Sequence, residues 1–73
     1  MSDAGRIRKR SVLVAGHHTS VSLESAFWSA LKDIARASDT SINALVTEVD
    51  NTRAGNLSSA LRVFVLDHFR GRA

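Results

Sequence analysis

Cysteine and proline are both missing from this 73-residue chain, and each absence narrows what the chain can be. Without cysteine there is neither a disulfide framework nor a cysteine-based metal site. Without proline, helices joined by short turns meet no built-in breaker. No apolar run approaches the roughly 20 residues needed to span a bilayer. The stretch Ser11–Gly16 that follows the basic residues runs into His17 and His18, too soon for the apolar centre of a secretory signal. The chain therefore reads as soluble and cytoplasmic, with no membrane partner. Catalytic signatures are missing too. No glycine loop is spaced to cradle phosphates, and none of Ser20, Ser22, Ser25, Ser29, Ser38, Ser41, Ser58 and Ser59 sits in a nucleophile elbow. A chain this short can hardly wall off a pocket of several hundred Å³, so enzyme activity is not expected. Neighbouring histidines on a strand face opposite sides, so His17 and His18 cannot chelate one ion together. Neither a metal nor a cofactor is expected.

What is present is a small, apolar and unevenly charged chain. Below roughly 80 residues a lone core seldom contributes more than a few kcal/mol. With disulfides and cysteine-bound metal excluded, association of copies is the remaining staple, and a hydrophobic fraction of 44% suits a core shared between subunits. The formal charge is +3. Residues 1–23 carry Arg6, Arg8, Lys9 and Arg10 against Asp3, while acidic and basic residues balance over 24–73, so all of the excess lies at the N-terminus. A basic arm over 1–10, expected to be flexible, is suited to neutralising phosphates and releasing counterions. It is equally what a solubilising tail looks like.

Along the chain, Val12, Leu13 and Val14 form a short β-favouring run within Ser11–Ala15, and Gly16 marks a turn or bulge. From His17 to Leu23 the sequence alternates. Thr19, Val21 and Leu23 point one way and His18, Ser20 and Ser22 the other, as in a half-buried strand. A first helix is expected over 24–37, with Leu23, Phe27, Ala30, Leu31 and Ile34 on one stripe and Trp28 at its edge. Ser38-Asp39-Thr40 reads as a turn. Ser41 is a good N-cap for a second helix over 41–53, whose stripe is Ile42, Leu45, Val46 and Val49, with Gly55 as its stop. Asn56 caps a third helix over 57–70. This helix carries Leu57, Ala60, Leu61, Phe64, Val65 and His68 on one face, with Val63 and Leu66 on others. A helix apolar on most sides suggests burial between subunits.

The order strand, helix, turn, helix resembles the ribbon-helix-helix family of DNA-binding proteins. The likeness is carried by Thr19-Ser20-Val21-Ser22-Leu23-Glu24 and by Asp39-Thr40-Ser41-Ile42-Asn43-Ala44-Leu45. Arg8-Lys9-Arg10-Ser11, Ala15-Gly16-His17 and Gly55-Asn56-Leu57-Ser58-Ser59-Ala60-Leu61-Arg62 are similar to a bacterial subfamily with an extra C-terminal helix. The resemblance implies a mainly α fold with a short β-ribbon: a homodimer whose two strands pair antiparallel across a two-fold axis, with the helices closing over one face. Residues 11–73 would form the domain. The β-favouring run at 11–15 departs from the family pattern and, folding back about Gly16, would be an extra strand that covers or extends the ribbon. The implied dimer core is Val21, Leu23, Phe27, Leu31, Ile34, Leu45, Val49, Leu61 and Phe64. The ribbon would enter the major groove, which admits two strands, with His18, Ser20 and Ser22 facing the bases. Phosphates would meet the start of the second helix at Ser41 and Asn43, together with Arg6, Arg8, Lys9 and Arg10.

The implied function is a cytoplasmic, DNA-binding transcriptional regulator. A rival reading keeps the dimer but makes it a protein-interaction module, antitoxin-like or otherwise, without specific DNA binding. Serines discriminate bases poorly, and the apolar third helix suits a protein partner or the pairing of dimers into a tetramer.

Overall fold

The computed structural model describes residues 4–71, in the order β1 (Ile7–Val14), β2 (His17–Glu24), α1 (Ser25–Ala37), α2 (Ile42–Thr52) and α3 (Leu57–Phe69). Met1–Asp3, the start of the expected arm, lie outside the described residues, as do residues 72 and 73.

The two strands form an antiparallel hairpin joined by Ala15 and Gly16 alone. Both turn residues have positive φ, 51° and 83°. That is the signature of a primed two-residue turn, whose twist matches that of the flanking strands. Glycine adopts such a φ freely, whereas alanine does so against a steric penalty.

This hairpin is the fold-back about Gly16 expected of the run at 11–15. A strand alone leaves half its backbone groups without partners, which is the ground for expecting Thr19–Leu23 to pair with a second copy; on one edge its own chain supplies the partner: Thr19 pairs with Val12, Val21 with Arg10 and Leu23 with Arg8. The short run expected at 11–15 is an eight-residue strand, and Ile7–Arg10 belong to it rather than to a flexible arm.

The helices follow the expected stripes closely. α1 buries Leu31, Ile34 and Ala35. It ends where the Thr40 N–H bonds the Ala35 carbonyl and the Asp39 N–H bonds that of Arg36, with Asp39 at φ 56°. This is a Schellman close, with aspartate where glycine is usual. Ser41 Oγ accepts from the Ala44 N–H at 3.0 Å and opens α2. That helix stops at Thr52 because Arg53 turns extended (φ −71°, ψ 146°), so Gly55 is not its left-handed stop. Asn56 Oδ1 accepts from the Ser59 N–H at 3.1 Å and opens α3. Gly71, at φ 77°, follows its end.

All three helices pack on one face of the hairpin. Of the residues expected in a dimer core, Val21, Leu23, Leu31, Ile34, Leu45, Val49 and Leu61 are buried within a single copy, and Phe27 and Phe64 pack half-buried against them. Val12, Val14, Ala35, Val46 and Val65 complete the core. No polar or charged residue is buried among those described. α3 is only partly covered: Leu61 and Val65 are buried, while Val63, Leu66 and Phe69 remain 56%, 50% and 64% exposed.

Candidate nucleic-acid interface

Strand alternation divides the hairpin into two faces. Val12 and Val14 of β1 and Val21 and Leu23 of β2 point into the helix layer. The other face has no helix over it. There Lys9 stands opposite Ser22, Ser11 opposite Ser20, and Leu13 opposite His18, all of them exposed. His18, Ser20 and Ser22 thus lie in one row on the open face, as the alternation predicts. The hairpin sets a second row, Lys9, Ser11 and Leu13, beside them. That row is hidden in the sequence because the basic run looks like an arm. Among its residues only Lys9 brings charge to the open face.

The edges of the ribbon are held as firmly as its faces. In a hairpin with a two-residue loop, alternate residue pairs aim their N–H and C=O groups away from the partner strand. Leu13 and Ser22 are such positions. The Leu13 N–H donates to Asn43 Oδ1 at 3.1 Å, on the first turn of α2. The Ser22 N–H donates to Ser58 Oγ at 3.1 Å, on the first turn of α3. The Ser22 carbonyl accepts from Arg62 at 3.2 Å, and Arg62 also donates to Glu24 at 2.8 Å. The Arg62 guanidinium holds the Glu24 carboxyl below the usual carboxylate range, aided by a backbone hydrogen bond. Asn43 therefore reaches the ribbon with its side chain. Ser41 uses its hydroxyl as the helix cap. What remains at the α2 start for an anion is the backbone N–H groups that have no intrahelical acceptor.

The basic residues divide. Arg6, Arg8 and Lys9 are exposed. Arg10, by contrast, turns toward the helices. Its guanidinium carbon sits 5.2 Å from the centre of the Trp28 ring, a cation–π contact, and its Nε is buried without a hydrogen-bond partner. Arg10, expected on phosphate, thus lies over Trp28 at the edge of the core. Lys32 and Arg36, one helical turn apart on α1, line an open cleft with Asp39, Ser41 and Ile42 at the start of α2. Their four-residue spacing is ordinary for a solvated helix face, and only the turn at 38–40 brings them to that helix end.

Comparison with known proteins agrees with this architecture. The sequence profile of the ribbon-helix-helix domain matches residues 7–69. No curated protein matches the chain. A solved structure, that of an uncharacterized protein from Bordetella pertussis Tohama I, is similar with a TM-score of 0.79 and 28% sequence identity. The likeness covers 93% of this chain and 59% of that one. No helix among the described residues is long and apolar enough to cross a membrane.

Proposed function

The chain belongs to the ribbon-helix-helix domain family, and from that premise we propose that it binds double-stranded DNA with the open face of its hairpin, as a transcriptional regulator. Members of this family are generally DNA-binding regulators rather than enzymes. The observation that carries the reading is the exposed double row Lys9–Ser22, Ser11–Ser20 and Leu13–His18, backed on the opposite face by the packed helix layer and free of helical cover. A two-stranded ribbon fits the major groove, where serine can bond either kind of base edge. In this reading Arg6, Arg8, Lys9 and the backbone N–H groups at Ser41–Asn43 supply the phosphate contacts; the exposure of the three cations supports it. Ser20→Glu tests this. Ser20 is exposed and faces the neutral Ser11, so the fold should persist by circular dichroism, while duplex affinity at low salt falls at least about tenfold through charge repulsion. Unchanged affinity refutes the reading.

A second reading is favoured by the outer face of α3. Val63, Leu66 and Phe69 are large, apolar and exposed, and such a patch suits a protein contact, with another copy or with a different partner. Leu66→Glu should then shift the sedimentation of the protein toward lower mass. A mass independent of this substitution removes the support for self-association there.

A further inference from the structure

The hairpin and the two helices that hold its edges repeat one another. Ser11-Val12-Leu13-Val14 corresponds to Ser20-Val21-Ser22-Leu23: the second and fourth residues of each run are buried, and the third bonds outward to a helix. The helices correspond as well. α2 opens with a capping Ser41, an apolar Ile42 and then Asn43, which takes the Leu13 N–H. α3 opens with a capping Asn56, an apolar Leu57 and then Ser58, which takes the Ser22 N–H. Further along, Val46 and Val49 match Leu61 and Phe64 in sequence position and pack at the core. The molecule therefore has an approximate two-fold axis through its ribbon. One half is β1 with α2 and the other is β2 with α3. Only α1, which packs against both α2 and α3, has no counterpart.

We propose that a single chain is the complete DNA-reading unit, carrying inside one copy the two-fold arrangement that a strand-exchanging dimer assembles from two. The inference rests on the DNA-binding reading above and goes beyond it in stating what one ribbon consists of. Two observations favour it over a ribbon shared between copies. The outer edge of β2 is closed at Ser22, where both backbone groups are held by α3. The outer edge of β1 carries Arg8, Lys9 and Arg10, so pairing it antiparallel with its own copy sets like charges against each other. The two halves also read differently. Where one offers Lys9 and Leu13, the other offers His18 and Ser22, and only Ser11 and Ser20 are alike. A palindromic site is therefore not required.

Two measurements test the proposal. Ser11 and Ser20 face each other at a pair of the class that bonds outward, where side chains stand closest. The chain has no cysteine of its own, so Ser11→Cys with Ser20→Cys gives one possible cross-link. After oxidation this variant should run as a monomer on a denaturing gel; a cross-linked dimer means the ribbon forms between chains and overturns the proposal. The wild-type chain is then titrated, under tight-binding conditions, into a duplex of roughly one helical turn, about 10 base pairs. One chain per duplex is expected, whether or not α3 joins two copies, because each copy brings its own ribbon. Two chains per duplex overturns the proposal. Failure to bind any duplex sinks the DNA reading itself, and this is told apart because the cross-link result does not involve DNA.

Discussion

Ala15 is the most improvable residue in the hairpin. It sits at φ 51° beside Gly16 in a turn whose first central position favours asparagine. An L-residue with a Cβ pays about 1–2 kcal/mol in that region, which asparagine relieves in part. Ala15→Asn should therefore stabilise the protein by about 0.5–1 kcal/mol, read as a rise in Tm of several degrees for a domain of this size. An unchanged or lower Tm contradicts the primed turn. At the far end of the strand, Leu23 is fully buried among residues of the hairpin and helix layer. Leu23→Ala leaves a cavity and should destabilise by about 2–5 kcal/mol in urea unfolding, a large part of what so small a domain possesses.

Each edge of the ribbon is tied to a helix, and one tie is pH-dependent. Glu24 ionises more readily in the folded protein because Arg62 bonds its carboxylate. A lowered folded pKa contributes stability above the ordinary carboxylate value and loses it as pH falls through the folded one. The tie between α3 and the start of α1 should therefore weaken only in acid. Glu24→Gln should lower stability at neutral pH and make the acid side of a Tm-against-pH profile shallower; an identical acid limb excludes Glu24 as its source. The elements themselves were legible from residues with local reasons to be where they are. Alternation over Thr19–Leu23 gave the buried face, and Ser41 and Asn56 marked two helix starts. The β-favouring run at 11–15 and Gly16 marked a strand that folds back beside β2, but not its reach to Ile7, because the basic residues 8–10 look like an arm; alternation tells which face is buried and says nothing of how far a neighbouring strand extends. Asn43 and Ser58 read as ordinary surface residues of a first turn, and only the fold makes them acceptors for strand edges.

At the scale of the whole molecule, charge and geometry divide the work of the basic run. All of the net charge lies before residue 24, and the hairpin folds most of it onto one strand. A cation acts on DNA through the counterions it displaces, so only one that reaches a phosphate alters the dependence of affinity on salt. The sequence treats Arg8, Lys9 and Arg10 alike; the structure does not. Lys9 stands on the open face and Arg8 is exposed near the strand end, while Arg10 is folded over Trp28. Lys9→Ala and Arg8→Ala should each weaken binding to all duplexes alike and reduce the slope of log affinity against log salt by about one, with little change in Tm. Arg10→Ala should do the opposite, leaving the slope nearly unchanged and lowering stability by about 0.5–1 kcal/mol as the cation–π contact is lost. Fluorescence anisotropy across a salt series, paired with thermal melts of the same three variants, separates the two behaviours. A slope that falls equally for all three would mean that Arg10 leaves Trp28 when DNA binds, and that the arm expected from the sequence exists in the complex.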